Sequence, residues 1–170
     1  MRTIVTSPEF FSKAAFRAKV KTPFELLVSA RRALNLPADT TMMTSTVISR
    51  LGQPMFGWSA PDGWPETGGA WINSATLYSR IKYAGNVGDS FLGSSPSTRW
   101  SNWSALATAP ATDQIDAVCR SILGGAHDVP TRDAMLAIHI DSVPGRVSAG
   151  ELRLRELLVI ALSSPEFQRR

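Results

Sequence analysis

The chain of 170 residues contains one cysteine and two histidines. A lone Cys119 excludes an internal disulfide framework and a cysteine-based zinc site, and it leaves the redox compartment open. His127 and His139 have no neighbouring cysteine and no His-x-x-x-His spacing, so no metal centre is expected. Long apolar runs are missing as well. The longest, 157–162, is a short core stripe far below the ~20 residues that cross a bilayer, so no transmembrane segment is expected. The opening Met1-Arg2-Thr3-Ile4-Val5-Thr6 lacks the apolar stretch and small-residue cleavage site of a signal peptide. The expectation is therefore that the chain as given carries no export signal, and its localisation stays unknown. No stretch alternates apolar and polar residues long enough to predict a strand.

What is present suits an ordinary globular protein: 44% hydrophobic and 19% charged residues in a length that fits one domain. A chain of this size buries roughly 70% of the surface its unfolded form exposes, so it needs no staples. Lys and Arg number 18 against 14 Asp and Glu, a net charge of +4. That mild basicity permits acidic partners without demanding them. Its two clusters, Arg17/Lys19/Lys21 with Arg31/Arg32 and Arg153/Arg155 with Arg169/Arg170, read as solvated helix faces rather than a nucleic-acid footprint.

Helix starts recur along the chain. Ser7-Pro8-Glu9 predicts a cap, a first-turn proline and a dipole-facing carboxylate, with Phe10, Phe11 and Phe16 as anchors. Thr22-Pro23-Phe24-Glu25 forms a capping box for a helix carrying Phe24, Leu27, Val28 and Leu34. Asp39 or Thr40 caps a third helix with Met43, Val47, Ile48 and Leu51 on one face and Gly52 as its left-handed end. Thr112 caps a helix carrying Ile115, Val118, Cys119, Ile122 and Leu123, a buried stripe stopped by Gly124-Gly125. Thr131 opens a helix with Met135, Leu136, Ile138 and Ile140, ending before Pro144-Gly145. Ser148-Ala149-Gly150-Glu151 opens the last long helix, whose stripe is Leu154, Leu157, Leu158, Ala161 and Leu162. Ser164-Pro165-Glu166-Phe167 then repeats the sequence of 7–10. The prediction is a single all-α domain over 1–170 with about six to seven helices, within ordinary domain size.

The organising stretch is 51–71. Pro54, Pro61 and Pro65 fix φ while interspersed glycines open φ > 0, which makes an ordered irregular path rather than a failed helix. Trp58, Trp64 and Trp71 are too large and apolar to stand wholly in water, so they pin this loop to the helices around it. Trp71, Ala75, Tyr78 and Lys82 are expected on one face of the following helix and Ile72, Leu77 and Ile81 on the next, buried over a wide arc up to Gly85. Trp100 and Trp103 are expected to anchor the Gly/Ser-rich connection through 85–110.

Candidate chemistry is thin. His127-Asp128 follows a helix C-terminus, where a histidine suits the dipole. His139 and Asp141 lie two apart and share no helix face. Cys119 falls among aliphatic neighbours as a small hydrophobe. Asp62, Glu66 and Asp89 stand near the aromatic loop and a pair of them could act on a glycoside. However, Asp62 suits the Pro61-Asp62-Gly63 turn and Glu66 suits a helix entrance. No catalytic residue and no cofactor is assigned. Binding remains, with Gln53, Trp58, Asp62, Trp64, Trp71 and Asn73 as candidate contacts for a protein partner, a missing N-terminal region of the same protein, or a carbohydrate.

Taken together, Ser7-Pro8-Glu9-Phe10-Phe11, KVKTPFELLVSARRAL, LGQPMFGWSAPDGWPE, AWINSATLYSRI and SSPEFQRR resemble the bacterial family named domain of unknown function 1800. The succession Thr-Pro-Phe-Glu, Leu-Gly-Gln-Pro and Gly-Trp-Pro is what makes the likeness specific. The resemblance implies a mainly helical fold, in a family whose longer members look in many cases exported, with these motifs in their C-terminal portion. It carries no activity, cofactor or catalytic residue. The expectation is a noncatalytic structural or binding part of a larger bacterial protein. The alternative is part of an enzyme, for instance a hydrolase, completed by an absent N-terminal region.

Overall fold

The computed structural model describes residues 2–36, 43–88, 100, 102–125, 127–138 and 148–170. These form nine α-helices and one 3-10 turn, and seven of the helices are longer than four residues. They are α1 (Arg2–Val5), α2 (Pro23–Ala33), α3 (Met43–Arg50), α4 (Ser74–Gly88), α5 (Trp103–Thr108), α6 (Ala111–Leu123), α7 (Val129–Leu136), α8 (Ala149–Ser163) and α9 (Pro165–Gln168). Among the described residues, extended pairing is limited to one antiparallel bridge between Val20 and Arg169. The all-α expectation holds.

The core is built around α8. Ser148 Oγ accepts from Glu151 N at 3.2 Å and fixes its start. From there Leu154, Leu157, Leu158, Ala161 and Leu162 recur at helical spacing and are each at most 1% exposed. That stripe packs against α4, α5, α6, α7 and α9. The α5 contact is close enough that a Cβ at Gly150 would collide with the Ala107 carbonyl, so this position admits only glycine. Gln114, fully buried on α6, donates through Nε2 to Leu106 O at 2.7 Å and to Gly150 O at 3.1 Å. One side chain thereby ties three helices together.

Most predicted caps and stripes are in place. Thr22 Oγ1 accepts from Glu25 N while Glu25 Oε2 accepts from Thr22 N, a complete capping box for α2. On α6, Ile115, Val118, Cys119, Ile122 and Leu123 are all buried, and Gly124 closes the helix with φ 63°. Gly52 likewise takes φ 97° after α3, where Ile48 and Leu51 are buried and Val47 packs against the core. Trp103 is buried and Trp100 packs against the core, their ring centroids 6.2 Å apart, so both rings anchor the end of the connection through 85–110 to the core as expected.

Several expectations need correction. Residues 6–17 are a succession of turns, not a helix begun at Ser7, and Phe10, Phe11 and Phe16 are 49%, 78% and 65% exposed rather than anchored. Phe24 on α2 is also exposed. Thr112 does not cap α6; Pro110, extended at φ −54° and ψ 151°, precedes its first residue, Ala111. Thr131 sits inside α7, which starts at Val129 after Asp128, because its hydroxyl is drawn to Glu166. Leu136 of α7 is exposed. Helix α4 starts at Ser74, so Trp71 lies outside it, and it runs through Gly85 to Gly88.

The buried face of α4 is Arg80, Tyr83, Ala84 and Val87, while Ile72, Leu77, Tyr78 and Ile81 are exposed. The reason is Arg80, only 1% exposed, whose guanidinium donates to Gln168 Oε1 and to Lys21 O, both at 2.8 Å. Those fixed acceptors turn α4 so that a cation faces inward. Residues 19–21 and 168–170 are laced together beside it, with Lys19 and Arg170 exchanging backbone bonds and Lys21 N donating to Gln168 O. The expected caps Asp39 and Thr40, the segment from Gly93 to Ser97, Asp89, His139, Ile140, Asp141, Pro144 and Gly145 lie outside the described residues.

Candidate functional site: the aromatic loop

The 51–71 loop is fastened at both ends by side chains that cap helices. At its start, Gln53 Oε1 accepts from Phe24 N at 2.9 Å, satisfying a backbone donor in the first turn of α2 that no helical carbonyl can reach. At its exit, Asn73 Oδ1 accepts from Thr76 N at 3.0 Å while Asn73 N donates to Thr76 Oγ1 at 2.9 Å. This reciprocal pair starts α4. The amide oxygens of both Gln53 and Asn73 therefore serve backbone groups.

Between these fasteners three indoles form a ladder from core to solvent. Trp71 is 4% exposed and donates from Nε1 to Pro65 O at 2.8 Å. Trp64 stacks on it with ring centroids 5.8 Å apart and Trp58 stacks on Trp64 at 4.7 Å, the planes tilted by 41° and 42°. Trp58 remains 40% exposed, and its Nε1 donates to Asp62 Oδ1 at 3.2 Å. Tilted aromatic pairs at such separations add about 0.5–1.5 kcal/mol each beyond area burial. The outermost ring is thus held in one place although its face is open. Trp58, Asp62, Trp64 and Trp71 come together, whereas Gln53 and Asn73 mark the two ends of the loop.

Sequence reasoning passed over the tip. Gly57 N donates to Pro54 O at 3.0 Å, closing a tight turn in which Phe56 takes φ 57° and stands 96% exposed, with Met55 46% exposed beside it. A phenylalanine in the left-handed region is strained, and here its apolar ring is also left in water. The signal was available in Pro54-Met55-Phe56-Gly57, two large apolar residues bracketed by turn formers.

The arrangement presents surfaces for stacking and apolar contact. The Asp62 carboxylate is engaged by the Trp58 indole, and Glu66 is exposed. Among the described residues no group of three or more His, Cys, Asp and Glu could hold a metal ion. Cys119 is buried with Sγ 3.7 Å from Met135 Sδ, and burial pushes its thiol up, away from the reactive thiolate. Among the described residues no helix is long and apolar enough to cross a membrane.

Residues 1–169 match the model of the family described as protein of unknown function (DUF1800). No curated protein and no solved structure matches the chain. With essentially the whole length covered, the chain belongs to that family.

Proposed function

We propose that this member of the family is a noncatalytic binding module of a larger protein, with loop 51–71 as its contact surface for a protein partner or for an N-terminal region of the same protein. The observation that carries the reading is Phe56, 96% exposed at a positive φ on a loop otherwise fixed by stacked indoles. An apolar ring held out in water by a strained backbone gains from being covered, and a rigid neighbour such as Trp58 lowers the ordering cost of covering it. Aromatic anchors of this kind dominate protein interfaces.

The test compares iodide quenching of Trp58 in this chain and in a longer family member carrying an N-terminal region, with Trp58→Phe variants isolating the signal. Protection in the longer protein, lost on Phe56→Ser, is the expected result. Equal quenching in both, with no cross-link from a photoreactive phenylalanine at position 56 in cells, overturns the proposal. A second reading, a sugar ring stacked on Trp58, is favoured by the open indole beside the Asp62 carboxylate. Titration with oligosaccharides, read by Trp58 emission, separates it from the first.

A further inference from the structure

A cleft of about 410 Å³ opens between α3 and α4. Its apolar lining is Val47, Leu51, Tyr78 and Tyr83. Leu51 and Tyr83 belong to the core and Tyr78 is 67% exposed, so the lining runs from buried floor to open wall. Two cations, Arg50 and Lys82, also line the cleft with Ser79 and Asn86, and no carboxylate stands among these described residues. Among the described residues neither cation has an ion-pair or hydrogen-bond partner. The Asn86 amide in the same cleft is unpartnered too.

An isolated arginine or lysine at a surface is satisfied by water and implies nothing. A concave apolar surface of ligand size bearing two cations is different, because one molecule can satisfy both its parts. The guanidinium fork of Arg50 matches a carboxylate in two parallel bonds, and Lys82 adds a point charge. A second copy of this chain is the poorer occupant, since each copy carries a net charge of +4 and would bring like charge to the same rim. A cationic ligand is repelled for the same reason.

We propose that the α3–α4 cleft binds a carboxylate bearing an apolar chain, with the head beside Arg50 and Lys82 and the chain over Val47, Leu51 and Tyr78. The site is separate from the aromatic loop and does not depend on the function assigned to that loop. Apolar burial supplies the larger part of the affinity, and the cations select the head. Binding therefore weakens as salt rises, because the cations are close to solvent.

The experiment is calorimetric titration of the full chain with monomeric dodecanoate, and with dodecanol, acetate and dodecyltrimethylammonium as comparators. Arg50, Lys82 and Tyr78 are exposed, so Arg50→Ala with Lys82→Ala, and Tyr78→Ala separately, leave the core intact. Saturable binding of dodecanoate, roughly tenfold or more tighter than dodecanol and weakened roughly tenfold or more by the double cation variant and also by Tyr78→Ala, is the expected result. The proposal is overturned by absence of binding, by dodecanol binding equally well, or by variants that bind dodecanoate as the natural chain does. A concentration-dependent dimer abolished by the same variants also overturns it, in favour of a second copy.

Discussion

The tetrapeptide Ser-Pro-Glu-Phe occurs at 7–10 and again at 164–167. In the first copy Phe10 N donates to the Ser7 carbonyl at 3.2 Å, the segment continues as turns, and the phenylalanine is half exposed. In the second, Ser164 Oγ accepts from Phe167 N at 3.3 Å and donates to Ala161 O at 2.9 Å, and α9 forms. Glu166 there accepts from Asp128 N at 2.7 Å and from Thr131 Oγ1 at 3.0 Å, while Phe167 is buried beneath Lys21 Nζ, 3.8 Å from its ring centre. Identical local signals bend the chain in both places. Only where α7, α8 and residues 19–21 supply partners does the bend become a packed helix, since a short helix takes its stability from tertiary contacts rather than from its cap.

Replacing the two phenylalanines tests that contrast most severely. Phe167→Ala is expected to lower unfolding stability by about 3–5 kcal/mol, and Phe10→Ala by no more than about 0.5 kcal/mol, measured from urea midpoints. Comparable losses would show that the first copy is packed after all. Next come the carboxylates. Glu166→Gln puts a donor amide in place of one of the two oxygens that accept from Asp128 N and Thr131 Oγ1 and should cost about 1–3 kcal/mol, with Glu9→Gln near zero.

Acid sharpens the same pair. Burial by itself would raise the Glu166 carboxyl, but hydrogen bonds from the backbone of Asp128 and of Glu166 itself and from the Thr131 and Ser164 hydroxyls outweigh it and hold it below its ordinary value. The folded protein therefore binds this proton less readily than the unfolded chain. The contribution is present above the ordinary carboxyl range and is lost as pH falls through the folded value. Glu166→Gln should flatten the acid limb of the stability profile, and Glu9→Gln should leave it unchanged.

Ser164→Ala is expected to cost about 1 kcal/mol through its cap, and Ser7→Ala distinctly less. The smallest effect concerns the cation over Phe167. Burial, then Arg17, lowers Lys21 to about 8 against a partial opposing pull from Glu25. The unfolded chain then binds the proton more readily between about pH 8 and its ordinary 10.5, so stability rises with pH over the lower part of that range. Above pH 10 the buried Tyr83 hydroxyl, pushed up by desolvation, reverses the trend as the unfolded tyrosine ionises. Lys21→Met should remove the rise between pH 8 and 10 in thermal melts.

Local rules read from sequence locate what is decided locally. The capping box at 22–25, the serines at 148 and 164, the stripes of α6 and α8, and the left-handed glycines at 52 and 124 are of this kind. The indoles are legible as pins of the loop to the helices, which Trp71 is, being 4% exposed, whereas the stacking of Trp64 on it and of the 40% exposed Trp58 on Trp64 is not. The buried face of α4 is not legible. It depends on Arg80 meeting acceptors 88 and 59 residues away, and hydrophobic spacing alone assigns that face to Tyr78 and Ile81. Within the loop, sequence chooses amide residues but not their partners. That Gln53 caps α2 and Asn73 starts α4 follows from the path of the backbone, as does the outward turn of Phe56.

The lacing of residues 19–21 to 168–170 has a mechanical consequence. Lys19 pairs with Arg170 and Lys21 with Gln168, so Lys19 and Arg170 stand together at one end of the antiparallel junction and Lys21 and Gln168 at the other. Tension applied to Arg170 and to the chain before Lys19 would load it as a zipper, parting the Lys19–Arg170 bonds first and reaching the Arg80 guanidinium last, at lower force than a sheared pair of strands would sustain.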